Sequence, residues 1–315
     1  MDSNKRMDTY GKVDLSIVIT SFNTKDLIIA CIRSVIKNTR GINYEIIVLD
    51  NGSSDGSVSA LRNFQDSKLK IIENKKNLGF TVANNQGWKK ALGEYILFLN
   101  SDTLINDNVL GEIAEWMDKN KSVGVASCML KFKDGSIQPT GGYFPTLLSV
   151  FYWMTIQDIP FVDVLIKPFH PLHIKSFFAR GEDFYKKEKE LDWVTGAFLF
   201  TRKEILEKVG GWDEDYFMYV DEVDLCFRIK KKGWQVRYLP EWSIVHYGGA
   251  SGTKELSVVS EFNGLKRFYK KFYPSWHYPL LRLVLRIGAL GRIVLFGILE
   301  GKETAKIYAK AFATI

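Results

Sequence analysis

Apolar positions along this chain fall into short unbroken runs that alternate with segments of helical period. Leu15 to Thr20 (LSIVIT), Glu45 to Leu49 (EIIVL) and Tyr95 to Leu99 (YILFL) are continuous hydrophobic stretches of strand length, the mark of strands covered on both faces. Shorter runs over Lys68 to Ile72 and Val123 to Ser127 predict two more. Between them, residues 26 to 38 and Phe80 to Leu92 space their apolar groups for helices, the second ending before Gly93. Strands alternating with helices predict an α/β domain with a doubly wound, mixed or parallel sheet and helices on both faces, its ligands at the carboxyl ends of the strands.

The pattern degrades over residues 140 to 190, an aromatic stretch punctuated by proline, whose expected place is over the active site. Order returns as a strand over Trp193 to Arg202, a short helix to Val209, a Gly210-Gly211 turn, an acidic helix over Asp221 to Lys232 and a strand over Gln235 to Leu239. The resulting division is a polar leader (1–12), a sheet domain (13–253) whose halves are 13–127 and 128–253, and a C-terminal helical segment (254–315).

Two strands run into acidic, amide-rich loops: LDNGSSDGS at 49–57 and LNSDT at 99–103. A carboxylate at the end of a buried strand sits where substrates bind, and Asp102 is placed to ligate a divalent cation through oxygen. Alternatively, Asp50 and Asp102 start turns or cap helices, as Asp commonly does. There is neither a GxxxxGK[ST] loop nor a GxGxxG after the first strand, so a diphosphate has no Gly-rich cradle and its charge falls to a metal. Asn77-Leu78-Gly79-Phe80 and Asn85-Gln86-Gly87 add amides for a ligand, or else a helix cap and close helix packing.

SFN, DNGSSDGS, NLGF with NxG, LNSDT, TGAFLFTR, FMYVDEVDLCFR and HYGGASG, in this order over roughly residues 13 to 252, resemble the family 2 inverting glycosyltransferases, within them the rhamnosyltransferase-like branch that builds surface polysaccharides. The resemblance implies a GT-A fold, a nucleotide-diphosphate sugar donor, and Mg²⁺ or Mn²⁺. It implies that Thr20, Ser21, Asn23 and Asp50 line the nucleoside pocket, and that Asp102, last acid of the family's DxD-type motif, binds metal. That motif here reads Asn100-Ser101-Asp102, so ligation by a single carboxylate is expected. His246 would complete the metal shell and touch the diphosphate, with the glycines after it letting a loop close. Trp193, Thr195 and Gly196 would face the acceptor.

Asp221-Glu222-Val223-Asp224 opens a helix that ends in lysines, which suits the helix dipole, and Asp224 with Arg228 forms an i,i+4 pair. That placement accounts for the charges without chemistry. The functional alternative has a carboxylate take a proton from an acceptor hydroxyl as the anomeric carbon is attacked from behind, with Asp224 and Arg228 beside the acceptor. By the resemblance the base matches Glu222; because the pair reads Asp-Glu rather than Glu-Asp, Asp221 is its rival.

Composition trims these readings. With 46% hydrophobic and 14% aromatic residues among 315, disorder is excluded, and three scattered cysteines and four histidines argue against a disulfide framework or structural zinc. Residues 1–253 hold 32 basic against 32 acidic side chains and residues 254–315 hold 11 against 4, so the net charge of +7 sits in the tail and no nucleic-acid partner is expected. The leader lacks an apolar export region, and a cytoplasmic protein is expected. Arg282, Arg286 and Arg292 interrupt the apolar span Trp276 to Leu299 on about a third of a helix circumference, which disfavours spanning and fits a basic amphipathic helix on the inner membrane surface, near a glycan or lipid-linked acceptor. The alternative is packing on its own domain or on a partner subunit of a homo-oligomer. For the donor the resemblance favours dTDP-rhamnose, with UDP- and GDP-sugars open. The competing functions are a sugar nucleotidyltransferase and a non-catalytic nucleotide-sugar or glycan-binding scaffold.

Overall fold

The computed structural model describes residues 12–139, 141–156, 181–248 and 253–315. In chain order it contains β1 (Leu15–Ser21), α1 (Lys25–Asn38), β2 (Tyr44–Asp50), α2 (Ser57–Arg62), β3 (Leu69–Glu73), α3 (Phe80–Lys90), β4 (Tyr95–Asn100), β5 (Thr103–Leu104), α4 (Val109–Lys119) and β6 (Val123–Lys131). There follow β7 (Ile137–Gln138), β8 (Gly141–Gly142), α5 (Leu147–Phe151) with a π-helical turn at Tyr152–Ile156, β9 (Lys189–Leu191), β10 (Trp193–Val194), β11 (Phe198–Arg202), α6 (Lys203–Val209), α7 (Asp221–Lys231) and β12 (Gln235–His246). Three helices end the chain: α8 (Lys254–Phe272), α9 (His277–Leu299) and α10 (Lys302–Ala313).

The main sheet runs β3-β2-β1-β4-β11-β6-β12-β5. The first four strands are parallel, β11 lies antiparallel between β4 and β6, and β12 returns parallel to β6. Both faces are covered, as the unbroken apolar runs require. Along β1, β2 and β4 successive side chains alternate between two cores: Val18, Ile47, Leu49, Ile96 and Phe98 in one, Ile17, Ile19, Ile46, Val48, Leu97 and Leu99 in the other.

Three predicted elements differ in extent. The run Trp193 to Arg202 is not one strand: β10 pairs with β8 in a separate two-stranded ribbon, β11 joins the main sheet, and Thr195-Gly196-Ala197 forms the break between them. β6 continues four residues beyond Ser127. β12 does not stop at Leu239 but runs on to His246. Pro240, which cannot donate to a ladder, is absorbed by a register shift between Leu239 and Ser243.

The C-terminal segment is three helices, and it shares the domain's core. Phe262, Leu265, Phe268 and Tyr269 of α8 and Leu281, Leu285 and Ala289 of α9 are buried in the cluster that holds Val18 and Phe98. The three arginines of α9 are not equivalent. Arg292 is 6% exposed and donates to Trp153 O (2.7 Å) and Met154 Sδ (2.9 Å) of the π-helical turn, Arg282 donates to Ile315 O, and Arg286 is exposed. Arg292 therefore belongs to the inner face, not to a solvated basic stripe. The face left outside is Leu280, Leu283, Ile287, Leu290, Val294 and Ile298. No helix among the described residues is long and apolar enough to cross a membrane.

Candidate active site

A cleft opens at the carboxyl ends of β1, β2 and β4, where the strands give way to loops. Thr20, Asn77, Gly79, Asn100, Ser101, Asp102, Thr195, Gly196, Asp221 and Glu222 all line it. Positions from five separate stretches of chain are thus brought to one cavity.

Asp102 is 3% exposed and its Oδ1 lies 3.2 Å from His246 Nε2. The two meet because the end of β12 pairs antiparallel with β5, His246 opposite Thr103, and Tyr247 N donates to Asp102 O at 2.9 Å. His246 Nδ1 donates to Gln138 Oε1 at 2.7 Å, and Nε2 faces Asp102 and Asn100 Nδ2 (3.3 Å). Among the described residues no cluster of three or more His, Cys, Asp or Glu forms a closed metal cage. One carboxylate oxygen and one imidazole nitrogen, with the cleft open beside them, suit a cation whose remaining ligands come from a bound diphosphate and water. Of the glycines after His246, Gly248 takes a positive φ of 70°, and residues 249–252 lie outside the described residues.

The acid pair starts α7 directly after two consecutive left-handed residues, Tyr219 (φ 65°) and Val220 (φ 66°). A non-glycine residue held there costs roughly 1–3 kcal/mol, a β-branched one being the least expected. Burial, then the neighbouring Glu222 carboxylate, pushes the Asp221 carboxyl well above its ordinary range. Burial also raises Glu222, opposed by a hydrogen bond from Asp221. Both carboxyls are thus harder to ionise than usual, Asp221 more so than Glu222. Asp221 Oδ2 is buried with no partner.

Asp50 is 1% exposed and not part of the cleft lining; its Oδ1 accepts from Gly52 N (3.1 Å) and Ser53 N (2.9 Å), and its Oδ2 is buried without a partner. Thr20 Oγ1 donates to Asn84 Oδ1, and Asn77 Oδ1 accepts from Gly79 N at 2.9 Å. Gly79 takes φ 88°, and a Cβ there would meet Phe217 at 2.8 Å, so only glycine lets the loop approach the 216–219 segment. Ser21 is buried against Thr24, whose hydroxyl also reaches Ser101; Asn23 N donates to the Ser53 hydroxyl and its Oδ1 accepts from Ser54 N. Both stand behind the cleft lining rather than in it.

Four of the expected ligand contacts are taken up elsewhere. Asn85 spends both amide atoms internally: Oδ1 accepts from Trp88 Nε1 and Trp212 N, and Nδ2 donates to Trp212 O and Glu214. Asp224 is fully buried and accepts from Arg228, Lys271 and Tyr216, while Arg228 also donates to Val209 O. These two form a structural knot beneath α7 rather than an acceptor surface. Trp193 is buried and donates to Tyr143 O, outside the cleft.

Sequence reading passed over Phe22, Asn51, Phe80, Phe217, Tyr219, Leu256 and Ser257, all in the lining. Phe217 and Tyr219 precede the acid pair within FMYVDEVD and stay 40% and 38% exposed, so their signal was in a motif already singled out. Leu256 and Ser257 belong to α8, where no pattern marked them.

Over 256 residues the chain is 25% identical to N-acetylglucosaminyl-diphospho-decaprenol L-rhamnosyltransferase of Mycobacterium tuberculosis, covering 76% of this chain and 79% of that one. It is 24% identical over 238 residues to rhamnosyltransferase WbbL of Escherichia coli K12, covering 73% and 82%. Among solved structures it resembles the mannosyltransferase PcManGT of Pyrobaculum calidifontis in complex with GDP-Man and Mn²⁺ (TM-score 0.55, 16% identity, 97% of this chain and 76% of that one). It also resembles GalNAc-T7 with UDP, GalNAc and Mn²⁺ (TM-score 0.59, 14% identity, 96% and 55%). The GT-A architecture implied by the motifs is the one the chain adopts. Residues 16–210 match glycosyl transferase family 2, and with rhamnosyltransferases among its relatives the chain belongs to that family.

Proposed function

We propose that the protein is an inverting glycosyltransferase that moves a sugar, with rhamnose the favoured case, from a nucleotide diphosphate to a hydroxyl of a glycan or lipid-linked glycan in surface polysaccharide synthesis. The observation that carries this reading is that Asp102, backed by His246 at 3.2 Å, and the Asp221–Glu222 pair line one cleft at the sheet's carboxyl edge.

In this reading Asp102 and His246 hold Mg²⁺ or Mn²⁺, which when bound neutralises charge on the departing diphosphate. Thr20, Asn77 and Asn100 line the cleft and frame the donor, and Asp50, buried behind that lining with one oxygen unpartnered, accepts a hydrogen bond from the nucleoside. Glu222, the less raised of the two carboxyls, takes the acceptor hydroxyl's proton as the oxygen attacks the anomeric carbon from the face opposite the diphosphate. Thr195 and Gly196 sit at the cleft wall, where the acceptor enters. A lipid-linked acceptor also suits the apolar outer stripe of α9 with exposed Arg286 on that helix, a surface for an anionic membrane on the cytoplasmic side.

The test is release of nucleoside diphosphate from dTDP-rhamnose, UDP-glucose and GDP-mannose, with and without EDTA and acceptor glycolipid. Metal-dependent, acceptor-stimulated release that falls about 100-fold or more in Glu222→Gln is expected. Tight nucleotide binding without turnover makes the protein a scaffold instead.

A further inference from the structure

The family 2 match ends at residue 210, short of both the acid pair and the C-terminal helices. A single regularity ties those two regions together. Ser257, Gly264 and Lys271 stand seven residues apart on α8, so they share one face of the helix over about 21 Å. Each meets the stretch that carries the acid pair. Ser257 Oγ is 2.8 Å from Tyr219 Oη. Gly264 lies so close to the left-handed turn that a Cβ there would be 2.8 Å from Tyr219 O and 2.9 Å from Val220 Cβ. Lys271 Nζ donates to Asp224 Oδ2 at 2.6 Å, and Asp224 is fully buried.

Two successive non-glycine residues in the left-handed region do not hold that shape alone. Something has to press the turn into place. Gly264 supplies contact without a side chain, Ser257 anchors the turn's first side chain, and Lys271 fixes the first turn of α7 from the other end. We propose that α8 is a splint for the acid pair, with Ser257, Gly264 and Lys271 as positioning residues that hold Asp221 and Glu222 toward the cleft. Ser257 and Leu256 also wall the cleft directly, so the C-terminal segment helps shape the acceptor side. The proposal rests on Asp221 and Glu222 being the acids of the transfer reaction.

The experiment uses the full chain with Mn²⁺ and compares wild type, Gly264→Ala and Ser257→Ala. Three quantities are read: amide hydrogen exchange over residues 216–226, affinity for dTDP, UDP and GDP, and turnover of dTDP-rhamnose, UDP-glucose and GDP-mannose. In Gly264→Ala, exchange at 219–224 should quicken about 10-fold or more, and turnover should drop about 10-fold or more, while nucleotide affinity stays within about two-fold. Ser257→Ala should show the same signature at about three-fold, and it carries the test if the alanine at 264 does not fold. Unchanged exchange at 219–224 overturns the proposal, as does faster exchange with unchanged turnover, or affinity and turnover falling together. Failure of the underlying assignment looks different: Glu222→Gln and Asp221→Asn would both turn over like wild type, whatever Gly264→Ala does to exchange.

Discussion

His246 Nε2 lies 3.2 Å from Asp102 Oδ1, while Nδ1 is held by Gln138 Oε1 at 2.7 Å. A carboxylate oxygen and an imidazole nitrogen at that separation are close enough to share one cation. On the proposed reading a divalent cation would take both as ligands, with Gln138 fixing the orientation of the ring.

Removing either donor is therefore expected to weaken Mn²⁺ uptake by the protein–nucleotide complex more than nucleotide binding in EDTA. Asp102→Asn and His246→Ala should lose most metal-dependent affinity, and Gln138→Leu should weaken metal binding about 10- to 100-fold by freeing the ring. Calorimetric titration of Mn²⁺ into the protein with dTDP, UDP or GDP reads this directly. Equal Mn²⁺ affinity in all four proteins removes the metal assignment.

The acid pair predicts a pH dependence of definite sign. Folding raises the Asp221 carboxyl above its ordinary 3.8, so the folded chain binds a proton that the unfolded chain releases sooner. The associated stability is fully present below the ordinary carboxylate range and is lost as pH climbs through the raised value. Metal-free protein should lose stability from this group on going from acid to neutral pH, and Asp221→Asn should flatten that part of the curve. Urea unfolding at a series of pH values in EDTA measures it; parallel curves for the two proteins reject the shift.

Asn85 separates a structural amide from a ligand-binding one. Three of its four internal hydrogen bonds tie α3 to the 212–214 loop and the fourth holds Trp88 of α3, so truncation orphans the Trp212 backbone groups and the Trp88 indole. Asn85→Ala should cost about 3 kcal/mol in urea unfolding. Nucleotide affinity, measured below the transition, should not move.

The parallel half of the sheet was legible because strands buried on both faces must be apolar throughout, and β1, β2 and β4 are. Asp102 and the acid pair were legible because each stands at an element's end in an acid-rich setting. Pairing over long sequence distance was not. Nothing local says that His246, 144 residues after Asp102, returns beside it through β5 and β12, and Pro240 disguised the strand that brings it there. Asp224 and Arg228 misled for the opposite reason: an i,i+4 pair reads the same on a solvated face as in a knot closed by Lys271 from another helix. Arg292 likewise looked solvated until α9 was seen to cap the π-helical turn with it.

The outer stripe of α9 is apolar and uncovered by the rest of the described chain. Leu280, Leu283, Ile287, Leu290, Val294 and Ile298 recur at intervals of three and four, run about 27 Å along the helix, and remain exposed, Ile298 by 78%. Their inner neighbours Leu281, Leu285 and Ala289 are fully buried, so the helix is pinned by one face and the other is open for contact. Burying six such side chains in lipid favours binding, and attraction of the basic tail to anionic headgroups adds to it. The protein should co-sediment with vesicles containing phosphatidylglycerol, less with phosphatidylcholine alone, and less as salt rises. Leu283→Lys with Ile287→Lys changes only exposed positions, so it should keep the fold and donor turnover while abolishing sedimentation. If that double variant still pellets with anionic vesicles, the stripe is not the contact; if it turns a dimer into a monomer instead, a second copy of the chain covers it.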